Sequence, residues 1–296
     1  MTKSVNTVVE DIYEVLDDVI SGNEIEISEA AVQQFGENVK EAVVRALTPR
    51  TKVRKEKVLY FSEFGKPCTR SLWYNLKGMP RSKLQPHNKI KFLYGDILEE
   101  LLILLIKTAG HEVTDEQKTC EIELPNGWKL RGRMDFKIDG TVVDAKSASS
   151  YAFKKFEGES LVGNDPFGYL SQLAGYAFHE GEHEDVGFLV IDKQNGTLVL
   201  HQPHETDLAL ALPDWEDFIE HLEAPTPPHR AFEDKPFGKS GNMCLPMECS
   251  YCDYKKTCWT DANGGKGLRM FVYSGKPVYF SNITREPKVP EVQLDE

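Results

Sequence analysis

Along the first hundred or so residues, apolar positions recur every three to four residues, and this spacing predicts helices over 7–20 and 28–48. Ser28 stands where a helix cap is wanted and Pro49 where a helix must stop. The same spacing continues over 69–77 and 89–109, where Leu98, Leu101, Leu102 and Leu105 fall on one face and Gly110 ends the run. From residue 119 the period shortens towards two. "TCEIEL", "WKLRGRMDFKI", "TVVDAKSA", "VGFLVID" and "TLVLHQ" read as strands, and Asn126-Gly127, Asp139-Gly140 and Asn195-Gly196 read as hairpin turns between them. Further helices are predicted over about 166–180 and 206–222. Residues 224–247 are rich in Pro and Gly and read as a linker. The last residues, "SNITREPKVPEVQLDE", read as a mobile acidic tail. The pattern predicts an α/β protein with a mixed sheet flanked by helices. Its regions are an N-terminal helical region (1–88), a central core (89–223) and a C-terminal cysteine-rich segment (224–296).

Composition narrows this picture. With 296 residues, 40% hydrophobic and 28% charged, the chain has material for a large core. The acidic N-terminus lacks the basic flank and apolar run of a secretory or transit signal. "LEELLILLIKTAG" is too short and too charged to cross a bilayer. An intracellular, cytoplasmic protein with no membrane partner is expected. A net charge of −12 argues against nonspecific coating of nucleic acid. Basic residues in "RTKVRKEK" (50–57), with Arg131 and Arg133, leave room for a positive track, although the 50–57 run reads equally well as a solvated face. No phosphate-cradling loop of an ATP motor occurs, so any coupling to unwinding needs a helicase partner. The histidines form no paired ligand motif; His179 and His183, four apart, read as the solvated tip of a helix. Trp73, Tyr74 and Tyr94 suit either core packing or stacking on unpaired bases.

One strand carries charge where a buried strand should be apolar. Residues two apart share a face, so Asp144 and Lys146 project side by side from the strand that also holds Val142 and Val143. Asp135, on the neighbouring strand of the Asp139-Gly140 hairpin, converges on the same point. Two carboxylates beside a lysine suit Mg²⁺ or Mn²⁺, hard cations that take oxygen ligands together with a substrate phosphate. The lysine is placed to orient or activate water and to offset charge on a phosphorane. A third carboxylate is available from "YGDILEELLILL", as Glu99 or Glu100. Gln172 and Tyr176, four apart on one helix face, add hydrogen-bond donors.

Cys249, Cys252 and Cys258 cluster in "CSYCDYKKTC", which in an intracellular chain points to metal ligation rather than disulfides. A fourth thiolate is needed. Cys68, in "GKPCTRSLWYN", is the best candidate, although Cys244 is nearer in sequence. Spacing alone does not separate zinc from iron and sulfur. Cys120 alternates within a strand and reads as a small core residue.

Taken in order, Gly95-x-x-x-Glu99, Gly132-Arg133-Met134-Asp135, Asp144-Ala145-Lys146 and Gln172-x-x-x-Tyr176 resemble the PD-(D/E)XK nuclease superfamily, more closely its RecB-like and lambda-exonuclease-like branch. The resemblance implies a restriction-endonuclease-like core that hydrolyses DNA phosphodiesters, with Glu99, Asp135, Asp144 and the Ala145 carbonyl on the Mg²⁺ or Mn²⁺. Lys146 would serve the water, and Gln172 and Tyr176 would complete the site. Many RecB-like members have His where Glu99 stands, which leaves Glu99 or Glu100 open; Asp144 in place of the commoner Glu is within the pattern. The cysteine order resembles that of the AddB nuclease domain and the CRISPR-associated exonucleases. That likeness selects Cys68 with Cys249, Cys252 and Cys258 as holders of a 4Fe-4S cluster, with zinc as the alternative. It implies an exonuclease acting on single strands or free DNA ends in repair, recombination or processing of phage and foreign DNA. The rivals are a structure-specific endonuclease and a non-catalytic DNA-binding subunit that retains the fold.

Overall fold

A computed structural model describes residues 3–49, 54–181 and 186–293. His183 and residues 50–53 of the basic run lie outside the described residues. The chain divides into two compact units, Met1–Gly65 with Pro86–Trp215, and Lys66–Gln85 with Glu216–Glu296.

In the first unit, helices α1 (Val8–Ile20) and α2 (Glu29–Leu47) form where the helical spacing places them, and the Ser28 hydroxyl accepts the Ala31 N–H at 3.3 Å as its cap. After strand β1 (Val58–Tyr60) and a single helical turn, Phe61–Phe64, comes the long helix α3 (Pro86–Thr108). Strands β2 (Val113–Thr114), β3 (Thr119–Glu123), β4 (Lys129–Arg133), β5 (Phe136–Ile138) and β6 (Thr141–Ala148) follow. Helices α4 (Ser150–Glu157) and α5 (Tyr169–Glu180) then lead to β7 (Gly187–Asp192), β8 (Leu198–His201) and helix α6 (Glu205–Ala211). The main sheet has the order β2-β5-β6-β7-β8; only β6 and β7 run parallel, and α4 and α5 lie in their connection. A smaller sheet has the order β1-β4-β3. The fold is therefore the mixed α/β architecture that the alternating pattern predicts.

Val8 and Ile12 of α1 and Leu102 and Ile106 of α3 pack on Phe136, Ile138, Val143 and Leu189 of the main sheet. Every residue of β7 is buried, as expected of a strand covered on both faces. Asp139 and Gly140 adopt φ of 50° and 88°, and Asn126 and Gly127 adopt 57° and 73°, the positive angles such tight turns require. The buried His111 side chain ties this core together, with one ring nitrogen 2.9 Å from Asp11 of α1 and the other 2.6 Å from Asp139 of the β5–β6 turn.

Two predicted elements break. "WKLRGRMDFKI" is not one strand: β4 belongs to the small sheet and β5 to the main one, and the chain crosses between them at Met134-Asp135. The segment 206–222 is two helices, α6 and Trp215–Glu223, because Pro213 drives Leu212 to an extended ψ of 134°. The described part of the basic run also serves the fold rather than a free track. Arg54 pairs with Glu63 at 2.8 Å, and Lys57 donates to the Asn126 carbonyl at 2.8 Å. Arg131 pairs with Glu121, whereas Arg133 is exposed.

The second unit holds the helix Thr69–Leu76 and a sheet of order β13-β11-β12-β10-β9. Its strands are β9 (Lys235–Pro236), β10 (Met243–Cys244), β11 (Arg269–Tyr273), β12 (Lys276–Asn282) and β13 (Glu291–Val292). The stretch read as a linker thus contributes two strands. The described part of the predicted mobile tail is instead held: β13 pairs with β11, and Arg269 reaches both Glu286 and Glu291 at 2.6 Å. Cys244 packs with Phe271 and Phe280 in the core of this sheet. Among the described residues, no helix is long and apolar enough to cross a membrane.

Candidate functional site

Four charged side chains meet beside β6, the central strand of the main sheet. Asp144 and Lys146 share a face of β6, and Lys146 Nζ is ion-paired with Asp144 Oδ2. Asp144 is 1% exposed, and its Oδ1 has no hydrogen-bond partner among the described residues. An orphaned carboxylate oxygen at that depth costs on the order of 1–3 kcal/mol or more. Asp135 sits at the crossing between the two sheets, where its Oδ2 accepts the Ala145 N–H at 2.9 Å. The break at Met134-Asp135 is thus what turns Asp135 onto β6. Glu99 comes from α3, half-buried, and accepts a hydrogen bond from Gln117 Nε2 at 2.7 Å.

The electrostatics follow from this crowding. Burial, with Glu100 and Asp144 close by, pushes Glu99 up to about 7. Burial, with Asp144 and Glu99, holds Asp135 well above the usual carboxylate range. Burial also raises Asp144, against the opposing effect of Lys146. For Lys146 burial works against the charge, but Asp144 and Asp135 outweigh it and keep the group an ammonium. Glu100 is turned elsewhere, accepting from Asn38 at 2.8 Å, so of the two candidate glutamates it is Glu99 that faces Asp144.

Gln172 and Tyr176 of α5 stand behind the crossing. The Tyr176 hydroxyl is buried, donates to the Arg133 carbonyl at 2.7 Å and receives Gln172 Nε2 at 3.4 Å. Tyr176 therefore grips the backbone that carries Asp135. Its ring stacks on Phe61 with centroids 4.6 Å apart. Gly132 fits beneath this pair because it lacks a side chain: a Cβ there would lie 2.4 Å from Phe61 Cδ2 and 2.9 Å from the Tyr176 oxygen. Gly132→Ala is expected to lower stability by about 1–3 kcal/mol through overpacking. Thermal melting against wild type measures this, and an unchanged melting temperature would mean the ring pair yields freely.

Sequence reasoning missed Gln117 and Tyr169. Gln117 lies in the β2–β3 loop at φ 54°, an unusual angle for glutamine, with its side chain on Glu99 and its N–H on the Asp135 carbonyl at 2.8 Å. Tyr169 opens α5, and Lys146 Nζ lies 5.2 Å from its ring centroid. Only the positive φ at Gln117 marks it, and a sequence does not display φ.

This donor set fits a hard divalent cation. Three carboxylates, two of them strongly held towards the protonated form and one with an orphaned oxygen, are what a cation would relieve. Raised carboxyl pKa values favour the protonated form in the folded state. Without metal, stability should therefore fall as pH rises through about 7, while Mn²⁺ affinity rises across the same window as protons stop competing. Melting temperatures across about pH 6 to 8, with and without Mn²⁺, are expected to diverge with increasing pH. A constant gap would show that these carboxyls do not hold the ion.

In the second unit, Cys68 precedes the helix Thr69–Leu76, and Cys249, Cys252 and Cys258 lie in and between the turns Met247–Ser250 and Lys255–Cys258. All four are half-buried free thiols. Burial, with Cys252, Cys68 and Cys258 nearby, pushes Cys249 up to about 12. Burial, with Cys68 and Cys258, pushes Cys252 up to about 11, although the Tyr254 N–H to its sulfur at 3.4 Å works the other way. The raised pKa values of Cys249 and Cys252, with Cys68 and Cys258 beside them, fit a cationic group that would take the sulfurs as thiolates. Cys244, buried in β10, is outside this group.

Cys120, His179 and Glu180 also bring ligand atoms within 4.8 Å of one another. Burial would raise Glu180, but Lys118, Lys137 and His179 outweigh it and hold the carboxyl at about 2. Two ammonium groups, each 2.9 Å from that carboxylate, leave little attraction for a cation, and Cys120 is a fully buried core residue as its alternation predicts.

Residues 23–259 match the family model of the PD-(D/E)XK nuclease superfamily. The chain belongs to this superfamily. Membership makes it a nuclease fold, generally metal-dependent, with DNA as the implied substrate. Among solved structures, the crystal structure of SSO0001 is similar at 19% identity and a TM-score of 0.41, covering 75% of this chain and 94% of that one. No curated protein matches the sequence.

Proposed function

We propose that the protein is a Mg²⁺- or Mn²⁺-dependent DNA exonuclease of the RecB-like branch, acting on single strands or free ends in repair, recombination or foreign-DNA processing. The observation that carries this reading is the buried, unpartnered Asp144 Oδ1 between Asp135, Glu99 and Lys146. Glu99, Asp135, Asp144 and the Ala145 carbonyl would hold the ion. When bound, it lowers the pKa of water and screens the charge of the scissile phosphate. Lys146, kept cationic, donates hydrogen bonds to the attacking water and offsets negative charge as the phosphorane forms. Gln117 fixes the Glu99 carboxylate, and Tyr176 and Gln172 fix the backbone of Asp135.

Cys68, Cys249, Cys252 and Cys258 would hold a 4Fe-4S cluster with a structural task. The electrostatic influence of Cys68 and Cys258 on both Cys249 and Cys252 supports one shared group for all four, with zinc as the alternative occupant. Such a cluster joins two stretches of the second unit that are far apart in sequence.

A DNA substrate with ends, beside a closed circle, tests the exonuclease reading. Loss of the linear DNA with the circle spared is expected, the position of the label giving the polarity. Cutting of the circle would instead identify an endonuclease.

A further inference from the structure

Beside Lys146 the first unit carries an aromatic step that the metal site does not use. Phe167 is 57% exposed, and its ring stacks on Tyr169 with centroids 5.4 Å apart and planes inclined by 30°. Tyr169 in turn lies under Lys146, whose Nζ is 5.2 Å from the ring centroid. Exposure of a large apolar ring costs free energy, and a flexible loop would fold it inward.

This loop is not free to do so. The Asp165 carboxylate accepts the N–H groups of Phe167 at 3.2 Å, Gly168 at 2.9 Å and Leu170 at 2.8 Å. Gly168 holds φ 75°, and a Cβ there would lie 2.5 Å from the Gly65 backbone. The turn is pinned at both ends, so the ring is presented outward in a fixed attitude.

We infer that Phe167, backed by Tyr169, is a stacking subsite for an unpaired nucleobase of the strand being cut. The inference rests on the nuclease reading above and deepens it towards a single-strand substrate. A phosphodiester at Lys146 brings the base of an adjoining nucleotide within reach of a ring two contacts away, at 5.2 and 5.4 Å. Every base offers a π-face, so the subsite is indifferent to sequence. A base still paired in a duplex cannot turn its face to the ring, so the subsite selects unpaired strands.

The test uses the full chain as wild type, Phe167→Ala and Phe167→Trp, with end-labelled single strands that differ by one abasic nucleotide walked inward from the end. Phe167→Ala should raise KM roughly tenfold with kcat little changed, and Phe167→Trp should restore it. At one position the abasic strand should cost wild type a similar factor and cost Phe167→Ala nothing, the signature of a direct pair. An equal abasic penalty in both proteins, or an unchanged KM in Phe167→Ala, would overturn the inference. A single strand carrying 2-aminopurine, mixed with protein in chelator, reads stacking without cleavage. Quenching by wild type and Phe167→Trp but not by Phe167→Ala supports the subsite, and equal quenching refutes it. If wild type cuts no DNA, the nuclease reading fails, while this binding arm still decides the subsite.

Discussion

Asp144→Asn is expected to reduce DNA cleavage by well over about a hundredfold, since loss of even a supporting partner of a metal ligand costs about 10–100-fold. The fold should survive. In the metal-free protein Asp144 is a stability cost: it is buried, Oδ1 has no partner among the described residues, and Asp135 and Glu99 crowd it. Asparagine keeps the shape and removes one negative charge, so the metal-free melting temperature should hold or rise. The stabilisation that Mn²⁺ gives wild type should vanish in the variant. Cleavage and Mn²⁺ stabilisation both near wild-type level would remove Asp144 from the site.

Cys249→Ser should have the largest effect on stability. A cluster held by the four cysteines would join Lys66–Gln85 to residues more than a hundred positions further along the chain. A cross-link closing a loop of that length restricts the unfolded chain by roughly 4–5 kcal/mol, before any binding energy of the cluster is counted. A serine hydroxyl is a poor ligand for iron, so the brown visible absorbance expected of wild type should be lost in the variant, and the second unit should melt earlier. The core around Trp73, Tyr74 and Tyr254 is small, which would leave that end of the unit dependent on a cluster at the cysteines. An unchanged spectrum with unchanged melting would exclude a cluster at these cysteines, and colourless wild-type protein containing zinc would replace iron with zinc.

Much of this site is legible in the sequence because two short-range rules act together. Period two places Asp144 and Lys146 on one face of β6, and Asp139-Gly140 returns the chain so that β5 and Asp135 lie alongside. Gln117 is invisible at that level, since it owes its place to the β2–β3 loop and to long-range contacts with Glu99 and Asp135. The crossing at Met134-Asp135 is hidden for a different reason: "WKLRGRMDFKI" alternates without interruption, and only pairing with two different partners divides it. Pro213 did carry a readable signal, and the split of the 206–222 helix is its direct result. The choice between Cys68 and Cys244 could not be made from spacing. Burial favours Cys68, because Cys244 occupies an apolar strand interior whereas Cys68 acts electrostatically on Cys249 and Cys252.

The most direct measurement is a timed digest of end-labelled linear DNA, single- and double-stranded, with Mg²⁺, with Mn²⁺ and with chelator, using wild type beside Lys146→Ala. Release of labelled product by wild type with either metal, abolished by chelator and by Lys146→Ala, is the expected result. No cleavage with either metal, or full cleavage by Lys146→Ala, would contradict a catalytic site at Glu99, Asp135, Asp144 and Lys146.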